Sequence, residues 1–128
     1  MSAELNLLLV DDDPAVLQFL DCFLADQGFQ IRTAANEAEC LDCVARYPID
    51  LVITDLVLRD GGGGLAVLRA LRHSHPNLPV ILMSGAASGS FVEAAKHLGV
   101  RAILQKPLDT DKLLGIVEEL RQTPRATL

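Results

Sequence analysis

The chain has 128 residues, half of them hydrophobic, and 17 acidic against 11 basic side chains for a formal net charge of −6. One domain with a core large enough to need no disulfide staple fits that length, and the acidic field, with 4% aromatics and no Trp, argues against direct nucleic-acid binding. No apolar run approaches the ~18 residues a membrane span needs, and three cysteines, an odd number, suit a reducing cytoplasm.

Along the chain, Leu5–Val10 is the first predicted strand. It lacks a basic lead-in and runs into three aspartates, so it does not read as a signal peptide. Asp13 before Pro14 marks a helix start, Val16, Leu17, Leu20, Phe23 and Leu24 form its apolar stripe, and Gly28 marks its stop. Phe29–Thr33 alternates, as a half-exposed edge strand does. Ala38, Leu41, Val44 and Ala45 give a second helical stripe, and Cys40-x-x-Cys43 lies inside it, which favours buried thiols over redox or zinc chemistry. Leu51–Thr54 is a nearly continuous apolar strand. After it, the stretch from Arg59 to Gly64 reads as a loop whose glycines, Gly61–Gly64, are costly to order. His73 and His75 follow near the end of a helix, before Pro76.

Pro79–Met83 is the fourth strand, and Ser90 with Glu93 has capping-box spacing ahead of the stripe Phe91, Ala94, Ala95 and Leu98. His97 reads as a solvated helix residue, and Gly99 ends this helix. Ala102–Leu104 is the fifth strand, and Leu113, Leu114, Val117 and Leu120 make the last stripe. The expected domain is residues 4–122, with a polar tail at 123–128.

Strand and helix thus alternate five times, which predicts an α/β fold with a doubly wound, five-stranded parallel sheet in the flavodoxin-like order 2-1-3-4-5 and five helices. Ligands of such sheets bind at the carboxyl ends of the strands. Those ends deliver Asp11, Asp12 and Asp13, then Asp55, Ser84 and Lys106. Asp13 is explained as a cap, but capping does not explain Asp55, an acid inside Leu-Val-Ile-Thr-Asp-Leu-Val-Leu. Carboxylates converging from adjacent strands repel by a few kcal/mol per pair at an effective dielectric near 20. A raised pKa or a hard cation relieves this, and Mg²⁺ suits a site of few carboxylates shared with a phosphate.

Leu-Leu-Leu-Val-Asp-Asp-Asp-Pro, Leu-Val-Ile-Thr-Asp-Leu, Val-Ile-Leu-Met-Ser-Gly and Gln-Lys-Pro-Leu occur in the order of a receiver domain, the phosphoacceptor module of two-component response regulators. The resemblance covers about Leu5 to Leu120. It implies that Asp55 is the phosphoacceptor, that Asp12 binds Mg²⁺ directly with Asp11 beside it, and that Val57 lends the metal a backbone carbonyl. It further implies that Ser84 hydrogen-bonds the phosphoryl group, that Lys106 pairs with it, and that the Lys106–Pro107 peptide is cis. The implied partner is a histidine kinase or histidine phosphotransfer protein, with output through the face of the fourth and fifth strand–helix units and a phosphorylation-dependent homodimer as one form of it. Neither nucleic acid nor a membrane is an expected direct partner.

Three features depart from the family pattern: Ile103 stands where an aromatic is usual, Arg59 where Pro is usual, and the loop after Asp55 is one residue longer. Two rivals remain at this level. Asp11-x-Asp13, Ser84 and Lys106 mimic the motifs of a haloacid-dehalogenase-like phosphatase with Asp11 as nucleophile, but Ala15 and the lack of a late acidic pair oppose it. A pseudo-receiver that binds partners without phosphate is the other. Gly61-x-Gly63-x-x-Ala66 formally matches a dinucleotide fingerprint, but no acid closes the next strand.

Overall fold

The computed structural model describes residues 5–56, 63–85 and 89–122. Strands β1 (Asn6–Val10), β2 (Gln30–Ala34), β3 (Leu51–Asp55), β4 (Val80–Ser84) and β5 (Ala102–Gln105) alternate with helices α1 (Pro14–Asp26), α2 (Glu37–Arg46), α3 (Gly63–Ser74), α4 (Gly89–His97) and α5 (Thr110–Gln122). All strand pairs are parallel and the order is β2-β1-β3-β4-β5, as the alternation predicts.

Two cores flank the sheet, because successive strand residues face opposite sides. Leu7, Leu9, Leu51, Ile53, Ile81 and Met83 join Leu20 and Leu24 of α1 and Leu113 and Val117 of α5. Leu8, Val10, Val52, Val80 and Leu82 join Cys40, Cys43 and Val44 of α2, Val67, Leu68 and Leu71 of α3, and Ala95 of α4. The three central strands are therefore apolar at nearly every position, and β2, at the edge, is exposed at Gln30, Arg32 and Thr33. Along this edge Phe29 is buried, Ile31 half-buried and Thr33 on the surface.

Asp13 caps α1 by accepting a hydrogen bond from the Ala15 N–H at 2.9 Å, with Pro14 at the first helical position. Gly28 and Gly99 adopt φ of 96° and 74° just past α1 and α4. Each helix closes with paired bonds: Gly28 N–H to Ala25 O with Phe29 N–H to Leu24 O, and Gly99 N–H to Lys96 O with Val100 N–H to Ala95 O. Both termini thereby satisfy carbonyls that the helix leaves open.

The structure alters three expectations. Asp55 and Ser84 are the last residues of their strands rather than the first beyond them, because β3 and β4 each run one residue further. Gly63 and Gly64 belong to the first turn of α3 rather than to the preceding loop, since the Gly64 N–H donates to Leu56 O at 2.7 Å and anchors the turn. The helix α4 starts at Gly89, so Ser90 falls within it rather than ahead of it. Val57, Arg59, the glycines at 61 and 62, and the tail at 123–128 lie outside the described residues.

Candidate functional site

The parallel register brings the tips of β1 and β3 side by side, with Val10 paired to Thr54, so Asp11 and Asp55 leave neighbouring strands together. Asp11 is 1% and Asp55 8% exposed. Oxygens of Asp11, Asp12 and Asp55 all lie within 4.8 Å of one another. The Lys106 ammonium, arriving from the far end of β5, donates to Asp55 Oδ2 at 2.8 Å and reaches Asp11 Oδ2 at 3.4 Å. Four of the residues singled out by strand position are thus brought together.

The cluster is electrostatically tense. Burial raises the Asp11 carboxyl above the usual range, and nearby Asp55 adds to this, although the Asp13 N–H, 2.9 Å from Asp11 Oδ1, and Lys106 act the other way. For Lys106, burial disfavours the charge, but the Asp55 hydrogen bond and the charges of both carboxylates outweigh it and raise the ammonium's pKa. Among the described residues, Lys106 contacts Asp11 and Asp55 with Asp12 beside them, so negative charge is concentrated at a place where solvent screens it little. A donor set of hard, anionic oxygens fits a small divalent cation of the Mg²⁺ type.

Ser84 is 2% exposed and sits on β4 one residue beyond Met83, the register partner of Asp55. Its carbonyl accepts the Lys106 N–H at 2.7 Å, which ties the tips of β4 and β5 together next to the ammonium. The Lys106–Pro107 peptide is cis. Ile103, paired with Leu82, is half-buried against the core on the α2–α3–α4 side, filling space as a branched aliphatic and presenting no ring.

Other sequence signals resolve into structure. Cys40 and Cys43 are buried free thiols, and burial first, then Cys43 and Glu37, push Cys40 up to about 12. His73 lies in the last turn of α3, His75 follows it and contacts the Ser74 hydroxyl at 2.7 Å, and His97 is exposed. Two residues that sequence reasoning missed shape the site and its support. Gly64 sits against the Asp55 backbone. Arg72 donates to the carbonyls of Leu98 at 2.6 Å, Leu78 at 2.7 Å and Gly99 at 3.1 Å, joining α3 to the end of α4. Nothing in local periodicity marks either one, since both roles come from distant backbone.

Among described residues, no helix is long and apolar enough to cross a membrane. The profile of the response regulator receiver domain matches residues 7–118. The transcriptional regulatory protein GlrR of Escherichia coli is 37% identical over 95% of this chain, and the DNA-binding transcriptional regulator NtrC of the same organism is 34% identical over 86%. The chain spans only 28% and 23% of those two relatives. Among solved structures, a response regulator receiver protein from Pseudomonas putida superimposes with a TM-score of 0.88 at 30% identity, covering 93% of this chain and 99% of that one. A CheY-like receiver domain protein from Methanospirillum hungatei gives 0.88 at 26% identity, covering 93% and 94%.

Proposed function

Because the chain belongs to the response regulator receiver domain family of two-component systems, a family of signalling switches rather than classical enzymes, we propose that Asp55 accepts a phosphoryl group from a histidine kinase or histidine phosphotransfer protein. The observation that carries this reading is Lys106 Nζ at 2.8 Å from a nearly buried Asp55 carboxylate, beside two further acids. A carboxylate is a competent nucleophile toward phosphorus. An Asp55 oxygen forms the new P–O bond as the P–N bond of the phosphohistidine breaks, and the departing imidazole takes its proton from solvent. Phosphoryl transfer asks the protein mainly for alignment and for cations facing the equatorial oxygens.

Asp11, Asp12 and Asp55, with the carbonyl of Val57, would hold Mg²⁺, which supplies charge neutralisation for the incoming phosphoryl oxygens. Lys106 is poised to exchange part of its contact with Asp55 for one with the phosphoryl group. Ser84 then donates a hydrogen bond to that group and draws the start of the segment after β4 inward. The differential contact biases the arrangement of β4, α4 and β5, where we place partner recognition, including a phosphorylation-dependent homodimer. The proposed domain is residues 4–122, acting in the cytoplasm, which suits free thiols. The output of the longer relatives is theirs.

Incubation with Mg²⁺ and acetyl phosphate, followed by intact-mass measurement, tests the reading. A single adduct of one phosphoryl group is expected, and Asp55→Asn abolishes it. Sustained hydrolysis of the donor that survives Asp55→Asn and disappears in Asp11→Asn would instead identify a phosphatase, and no adduct under any condition a pseudo-receiver.

A further inference from the structure

The end of β3 is held from two directions. On one side the Leu56 N–H donates to Met83 O of β4 at 2.8 Å, and on the other Leu56 O accepts the Gly64 N–H of α3 at 2.7 Å. The second contact is so close that a Cβ on Gly64 would lie 2.5 Å from Asp55 O, 2.8 Å from Leu56 Cα and 3.2 Å from Asp55 C. All three are main-chain atoms of the residue carrying the reactive carboxylate or of its neighbour, so no side chain can swing aside. Relief requires α3 and the β3 tip to separate by about half an ångström, since real Cβ atoms stay beyond 3.0 Å.

Gly64 lies at neither of the positive-φ glycines, so its requirement is closeness, not handedness. By contrast Gly115, on α5, has nothing within 4 Å of its notional Cβ. We infer that Gly64 is a positioning residue: by having no side chain, it lets the first turn of α3 clamp the Asp55–Leu56 backbone and so sets where the Asp55 carboxylate stands relative to Lys106 and Asp11. This rests on Asp55 being the phosphoacceptor. The clamp makes α3 a second element, besides β4, that registers displacement at Asp55. Misplacement of a reacting group by about 1 Å costs on the order of 100-fold in rate, and a half-ångström shift falls between that and no effect.

The test compares wild type, Gly64→Ala, Gly115→Ala and a remote core variant, Val44→Ala, under Mg²⁺ and acetyl phosphate. Gly64→Ala is expected to lower the limiting rate of adduct formation at saturating donor by about 10-fold, with the half-saturating donor concentration little changed. Gly115→Ala and Val44→Ala keep the wild-type limiting rate. Equal loss in Gly64→Ala and Val44→Ala, or no loss in Gly64→Ala, overturns the inference. If Gly64→Ala fails to fold, amide chemical shifts of the wild type decide. The Gly64 and Leu56 resonances should move on phosphorylation, and stationary ones overturn the inference. A wild type that takes up no phosphoryl group overturns the functional reading and this inference with it, whereas a reactive wild type beside an unimpaired Gly64→Ala removes the inference alone.

Discussion

Lys106 is the one cation in contact with the buried carboxylates among the described residues. Lys106→Met leaves Asp11 and Asp55 to repel each other at low screening. Adduct formation should fall by about 10- to 100-fold, and the metal-free protein should lose about 1–3 kcal/mol, read from urea midpoints. The sign of the alkaline response follows from Cys40, Cys43 and Lys106, whose folded pKa values are all raised. Unfolded Cys40 ionises near 9.0, whereas the folded thiol holds its proton to about 12. Its stabilising contribution is whole below pH 9 and declines above it by up to roughly 1 kcal/mol per pH unit. Lys106 acts in the same direction only above pH 10.5, its contribution disappearing as pH climbs through its raised value. Urea midpoints measured from pH 8 to 10.5 should therefore fall, and less steeply in Cys40→Val. The identities of Asp11, Asp12, Asp55 and Lys106 were legible in the sequence because each is a charged residue at the tip of an apolar run. Gly64 was not legible, because a glycine in a four-glycine run gives no sign of which member touches another strand.

At the level of single elements, two glycines predict opposite outcomes for the same substitution. Gly28 follows α1 at φ 96°, a conformation L-residues resist, so Gly28→Ala should cost about 1–2 kcal/mol. Gly115, within α5 and with open space around it, should gain about 0.5–1 kcal/mol as Ala. Thermal melts of the two variants check the pair. The helix stops at Gly28 and Gly99 could be read in advance because their closing bonds are local. The register of β1 against β3, and the reach of Arg72 from α3 to the carbonyls of Leu98 and Gly99, could not, since they join segments far apart in the chain. Strand ends were misjudged by one residue for the same reason: Asp55 and Ser84 are polar, yet the ladder continues through them because a neighbouring strand supplies partners.

For the molecule as a whole, the crowding of Asp11, Asp12 and Asp55 at one end of the sheet is a store of repulsion that a divalent cation would relieve. Mg²⁺ at 100 times its dissociation constant should stabilise the fold by about 2.7 kcal/mol. The resulting rise in melting temperature should shrink in Asp12→Asn, and chelator should reverse it. The alternation of strands and helices sufficed to foresee the layering, since it needs only apolar period and topology rules, whereas the charge balance of the assembled site depends on which strand tips become neighbours. Lys106 and Asp11 stand 95 positions apart, and the ammonium that steadies the acids comes from the residue just past the last strand. A nascent polypeptide emerging from the ribosome therefore displays its acids long before it owns their counterweight. Competence to receive a signal arrives late in synthesis, and fragments that end before β5 should be inert however well their first strands pair.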